Sequence, residues 1–182
     1  MVVKVGELFM SNETDHMMLN CLGIFISVYS LYIELKAFKD KNYRAFCDFN
    51  EHMSCTRVLT SKYGQGFGVV EVLFGKESYL NVPNCCLGIV FYCLQLILGS
   101  IESEWAIYLL VITSIIACIG SVYLGTVLFV ILKDFCLVCI CTYILNGCLM
   151  YLNYQKYIAM DFIVSTPTQA PPPPVMNMHP EY

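Results

Sequence analysis

The stretch Asp134 to Tyr154, DFCLVCICTYILNGCLMYLNY, carries no charge after its first residue and places a Cys-x-x-Cys pair, Cys136 and Cys139, at its start. A helix needs about 20 predominantly apolar residues to cross a bilayer, so this run reads as a transmembrane helix that begins with two thiols. On a wheel of about 100 degrees per residue, Cys136, Cys139, Tyr143 and Asn146 fall within about 80 degrees of one another, with Cys141 and Cys148 on another face. Two thiols, a phenol and an amide on one stripe are costly to bury without partners. The stripe is therefore expected to face the interior of a helical bundle, where it points to redox chemistry on a lipid-soluble molecule. Apolar filler is the competing reading, since Cys is often buried and also occurs here at Cys85, Cys86, Cys93 and Cys118.

The rest of the chain sets the same context. Of 182 residues, 58% are hydrophobic and 13% charged, and the mean hydropathy is +0.64, too apolar for a water-soluble core. The net charge is -4 and the ten Lys and Arg form no basic stripe, which excludes nucleic acid as a partner and leaves the lipid bilayer. The opening MVVKVGELFMSNETDH lacks the charge-then-apolar order of a secretory signal, so membrane entry is expected to use the first retained span.

Runs of low charge predict four transmembrane helices, over about residues 17–35, 78–101, 105–132 and 135–155. The expected architecture is an all-α membrane protein: a four-helix transmembrane domain over 1–164, a cap loop over 36–77, and a disordered Pro-rich tail over 165–182. Gly64, Gly66 and Gly68 mark a turn in the loop, followed by a short helix lying at the membrane surface. Only Lys133 and Asp134 separate the last two spans, so that connection must be tight.

Four crossings put both termini on one side and bring the loop cysteines, Cys47 and Cys55, to the same face as Cys136 and Cys139. Four thiolates suffice for zinc, but the seven residues between Cys47 and Cys55 exceed the usual ligand spacing, and a structural metal leaves Tyr143 and Asn146 unexplained. The reading assigns no metal. His52 reads as a solvated loop residue, and His16 and His179, in terminal segments, carry no argument.

The segments YSLYIELKAFKDKNYRAFCDF, SCTRVLTSKYGQGFGVVEVLFGKESYLNVPN, GIVFYCLQLILG and GSVYLGTVLFVILKDFCLVCICTY resemble the animal vitamin K epoxide reductase family. The spacing of Cys47 and Cys55, the GQGFG turn, Asn84 and the paired CLVC and TY carry the likeness. It implies a four-helix bundle around a quinone pocket, capped on the lumenal side of the endoplasmic reticulum membrane, with N- and C-termini cytosolic. It implies thiol-dependent reduction of vitamin K epoxide to the quinone and of the quinone to hydroquinone, with no tightly bound cofactor.

By resemblance Cys139 attacks the substrate and Cys136 resolves the adduct, while Cys47 and Cys55 relay electrons from a thioredoxin-like lumenal oxidoreductase. Asn84 and Tyr143 bond the quinone oxygens; Asp48 and Arg57 hold the cap closed; coumarin-type molecules are the implied inhibitors. Read from residues alone, Asn84 after Pro83 is also a helix or turn cap, and the helix N-terminus would favour Cys136 as thiolate. Leu59 and Tyr63 stand where the family usually has an aromatic residue and a tryptophan, altering the expected roof of the pocket.

Seven of the ten basic residues lie in the cap loop, and the positive-inside rule would place it in the cytosol. A disulfide relay needs an oxidising compartment, and that requirement together with the resemblance sets the loop in the lumen, leaving the sequon at Asn12 unglycosylated. Two other functions fit the same cysteines: a quinone-linked disulfide-forming oxidase, and a non-catalytic tetraspan scaffold.

Overall fold

The computed structural model describes residues 2–50, 53–68, 70 and 81–165, with side chains from residue 12 onward except that of 163. Its elements are α1 (Val2–Lys39), α2 (Cys55–Leu59), α3 (Asn84–Gly99), α4 (Glu104–Thr126, continuing as a π-helical stretch Val127–Leu132) and α5 (Leu137–Ser165), with short 3-10 turns at Lys62–Gly64 and Gly66–Gly68. Among the described residues there is no strand. The four longer helices pack in a ring: α1 against α3 and α5, and α4 against the same two.

Three helices are long and apolar enough to cross a membrane, over Asn12–Lys39, Glu104–Leu132 and Leu137–Phe162. Their outward faces are apolar, with Phe25, Ile116, Ile119 and Val122 all exposed, a surface suited to lipid. The chain is a membrane protein.

Several boundaries differ from expectation. The helix of the second predicted span starts at Asn84, directly after Pro83, which cannot donate to a preceding turn; residues 78–80 of the expectation lie outside the described residues. With 16 residues, α3 is about 24 Å long, short of the hydrocarbon thickness of about 30 Å. Helix α1 begins well before residue 17 and α5 continues past 155 to Ser165. His16 is not in a loose terminal segment: it sits within α1 and is 7% exposed. The expected interfacial helix after the glycine turn, His52, His179 and the Pro-rich tail beyond Ser165 lie outside the described residues.

The tight connection between the last two spans is observed. Lys133 takes a left-handed conformation at φ 51, and the chain passes from Leu132 to Leu137 with no further element.

Lipid gives apolar helix faces no solvent-driven reason to prefer each other, so association rests on close packing and interhelical hydrogen bonds. Both are present. Gly23, Gly88 and Gly99 let α1 and α3 approach so closely that a β-carbon at these positions would strike Tyr92, Ser27 and His16. Gln95 of α3, fully buried, then ties the ring together. Its Nε2 donates to Thr113 Oγ1 (2.9 Å) and Ser114 Oγ (3.3 Å) of α4, and its Oε1 accepts from Asn153 Nδ2 of α5 (2.9 Å) and His16 Nε2 of α1 (3.4 Å). Asn153 also donates to Ser114 Oγ at 2.6 Å. Lys156 Nζ donates to Gly99 O (3.1 Å), satisfying a carbonyl at the end of α3, and lies 3.7 Å from Glu13.

Replacing Asn153 with Ala removes donors to both Gln95 and Ser114 while keeping the helix intact. It should cost about 1 to 2 kcal/mol, read as a lower midpoint of thermal unfolding in detergent; an unchanged midpoint would show that the polar cluster does not hold the helices together.

Candidate functional site

The N-terminus of α5 builds the site. Cys136 occupies the cap position before Leu137 and is fully buried; its Sγ accepts the backbone N–H of Cys139 at 3.3 Å. A sulfur there sits at the positive end of the helix dipole. Cys47 and Cys55 form a disulfide with Cα atoms 5.9 Å apart, whereas Cys136 and Cys139 are free thiols. The disulfide and Cys136 belong to one buried cluster with Ile33, Val58, Leu128 and Val138, and Cys139 packs on its edge. The loop thus lies on the end of the bundle where α5 begins. A disulfide offers no thiolates, so this arrangement does not make the four-cysteine zinc site.

Cys139 faces a cavity of about 370 Å³ lined by all four long helices and the loop. Its wall is mostly apolar, with a few polar groups, the usual make-up of a small-molecule site. Of the predicted stripe, Cys139, Tyr143 and Asn146 all line this space, while Cys136 lies behind it in the cluster with the disulfide. Leu59 and Tyr63 line it from the loop.

Asn84 borders the cavity but spends its side chain mainly on the loop. Its Oδ1 accepts from Phe67 N–H (2.9 Å) and its Nδ2 donates to Tyr63 O (2.7 Å). The turn it pins needs glycine, because Gly66 and Gly68 have φ of 53 and 70, a region a β-carbon disfavours. Phe67 between them is also left-handed, at φ 57, and its ring lies against Gly120 of α4. One amide proton of Asn84 remains for a ligand, so capping and ligand binding are compatible. The Tyr143 hydroxyl has no hydrogen-bond partner among the described residues and is the freer donor.

One turn deeper, Asn146 Oδ1 accepts from Tyr92 O–H (2.9 Å) and its Nδ2 donates to Ser121 Oγ (2.8 Å), giving the cavity a polar floor. Tyr92 and Ser121 carried no sequence signal, because their pairings join three different helices. The same holds for Cys85, a cavity-lining thiol that donates to Glu34 Oε2 of α1 at 3.4 Å.

Asp48 and Arg57 both brace the loop, each through its own contacts. Asp48 accepts from Ala45 N–H (2.9 Å), Ser54 Oγ (3.1 Å), Thr56 N–H (3.0 Å) and Thr56 Oγ1 (2.6 Å), bracketing the disulfide on both sides. Burial pushes the Asp48 carboxyl up, but hydrogen bonds from Thr56, Ala45 and Ser54 outweigh it and hold the group below its ordinary value. Arg57 Nε lies 3.0 Å from Asp134 Oδ2 and ties α2 to the residue pair before Cys136. With Arg57 53% exposed, that pair contributes about 0 to 1 kcal/mol, so the cage around Asp48 is the stronger brace.

Comparison with known proteins gives one consistent result. A model of the Vitamin K epoxide reductase family matches residues 16–154. Over 137 residues, 75% of this chain and 85% of the relative, the chain is 47% identical to vitamin K epoxide reductase complex subunit 1 of Mus musculus. The Rattus norvegicus protein of the same name is 44% identical over the same extents.

Because its carboxyl is depressed in the folded chain, Asp48 stabilises the loop above the ordinary carboxylate range and loses that effect as pH falls through its lowered value. The Cys47–Cys55 disulfide should therefore resist a phosphine reductant at neutral pH and become more reactive in acid. Asp48→Asn should be more reactive already at neutral pH; identical reduction rates for the two proteins at both pH values would remove this role.

Proposed function

The chain belongs to the vitamin K epoxide reductase family, and from that premise we propose that it is a multi-pass enzyme of the endoplasmic reticulum membrane. Four crossings leave both termini cytosolic and the loop in the lumen, and protein thiols reduce vitamin K epoxide to the quinone and the quinone to hydroquinone. One observation supports this most: Cys139 borders the cavity while its partner Cys136 lies in the buried cluster that contains the loop disulfide. One thiol reaches substrate and the other reaches the relay.

In the epoxide reaction the Cys139 thiolate attacks an epoxide carbon, a C–S bond forms and the C–O bond opens onto oxygen. Tyr143, with help from the remaining Asn84 proton, donates to that oxygen as charge develops, the condition under which a fixed donor lowers a barrier most. Cys136 then attacks the Cys139 sulfur; the S–S bond forms, the C–S bond breaks, and the released electron pair expels the hydroxyl group. Two thiols and the epoxide become a disulfide, the quinone and one water, so no other reductant enters.

Cys47 and Cys55 as a dithiol would regenerate the pair by exchange through Cys136, itself becoming the disulfide. An oxidised loop pair beside free Cys136 and Cys139 is the state that follows such a transfer. Cys47 and Cys55 are 5% and 0% exposed, so a thioredoxin-like donor requires the loop to open, and the hydrogen bonds around Asp48 set the cost of opening. Planar coumarin-type inhibitors would compete for the same cavity beneath the altered roof of Leu59 and Tyr63.

Replacing both Cys47 and Cys55 with Ala should abolish turnover driven by a thioredoxin-like protein and preserve much of that driven by dithiothreitol, which can reach the Cys139 sulfur through the cavity. Either Cys136→Ala or Cys139→Ala should end activity with both donors. Equal loss with both donors in the Cys47/Cys55 variant would mean that the pair only holds the loop. Tyr143→Phe should lower epoxide turnover by on the order of 10² in rate; a wild-type rate would make Tyr143 a packing residue.

A further inference from the structure

The proposed chemistry releases a water molecule inside a mostly apolar cavity. Between α3 and α4 the rim of that cavity consists of Leu87, Val90, Leu94 and Ile116, all exposed on the lipid-facing surface. Such an outlet suits hydrocarbon and opposes water. A chain of polar side chains runs the other way. Thr113 lines the substrate cavity and its Oγ1 accepts from Gln95 Nε2 at 2.9 Å. Gln95 Oε1 accepts from His16 Nε2 at 3.4 Å, and His16 lines a second cavity, about 230 Å³ in volume, at the opposite end of the bundle. Asn12, Glu13, Glu102 and Lys156 also border that space, a polar rim at a membrane face.

Two buried oxygens point to water along this line. Asn20 and Asn153 are 0% and 1% exposed; Asn20 donates to His16 O at 2.8 Å and Asn153 to Gln95 Oε1 at 2.9 Å. Yet their side-chain Oδ1 atoms accept no hydrogen bond among the described residues. A buried amide oxygen without a donor is costly, and internal water is the ordinary way such groups are satisfied. His16 is an ionisable side chain inside a membrane bundle, a kind of group that commonly faces a water-filled route.

We propose that Thr113, Gln95 and His16 line a path for water between the substrate cavity and the cavity at the opposite end of the bundle. Resting on the proposed reaction, the path's catalytic use is to remove the water formed from the epoxide oxygen. Reduction of the quinone to hydroquinone adds two hydrogens and releases no water, so it makes no demand on this route.

The test uses the full chain in lipid nanodiscs with dithiothreitol as donor. His16→Leu, which keeps the hydrogen bonds of Gln95 to Thr113, Ser114 and Asn153 and lies outside the substrate cavity wall, should lower epoxide turnover several-fold while quinone turnover holds. Loss of both activities in parallel, or no change in either for the folded variant, overturns the catalytic use. Hydration is read separately by X-ray hydroxyl-radical footprinting at Leu110, a fully buried residue bordering the second cavity. Leu110 should be oxidised in the wild type and protected in His16→Leu; no oxidation in the wild type, or equal oxidation in the variant, overturns the path itself. Absent turnover with either substrate would sink the reductase reading, and the Leu110 signal would still decide whether water enters.

Discussion

The structure depends first on the hydrogen bonds of Gln95. Four helices with apolar outer faces have little reason to adopt one register in lipid, and apolar packing there distinguishes poorly between alternatives. A fully buried amide that donates to α4 and accepts from α1 and α5 admits few arrangements, because each displaced partner leaves a polar atom in hydrocarbon. It also explains how a helix too short to span comfortably is held: α3 is fixed at Gln95, and Lys156 satisfies the end of it at Gly99.

With the register set, the far end of the bundle can be built tightly. Helix α5 starts at the Cys136 cap, the loop disulfide packs against it, and the cage around Asp48 keeps the loop folded on itself. Hydrogen bonds to a partly buried carboxylate outweigh the more exposed ion pair of Arg57 and Asp134, which aligns α2 more than it stabilises it. The consequence is that two adjacent thiols have different surroundings. Cys139 belongs to the cavity wall and Cys136 to the cluster behind it.

Much of this is legible in the sequence, for local reasons. Helical periodicity placed Cys139, Tyr143 and Asn146 on one face, and crossing parity put the loop cysteines beside them. Other features are carried by pairings between distant residues that no periodicity encodes. Gln95 with Asn153, Tyr92 with Asn146 and Arg57 with Asp134 are of this kind. Nothing local in the sequence shows that α1 extends as far back as His16. Asn84 was legible both as a cap and as a ligand, and its bonds to Phe67 and Tyr63 establish the first without removing the second. The start of α3 was misplaced because an apolar run seemed continuous across Pro83, where backbone chemistry requires a break.

The central claim is that Cys136 and Cys139 are the immediate reductant of the substrate. The most direct measurement is a single turnover by fully reduced protein with vitamin K epoxide and no added reductant, using a Cys47/Cys55→Ala variant so that no electrons arrive from the loop. After alkylation of free thiols, mass spectrometry should find one Cys136–Cys139 disulfide for each quinone formed. Quinone produced while both thiols remain free, or a disulfide that appears equally without substrate, would contradict the account.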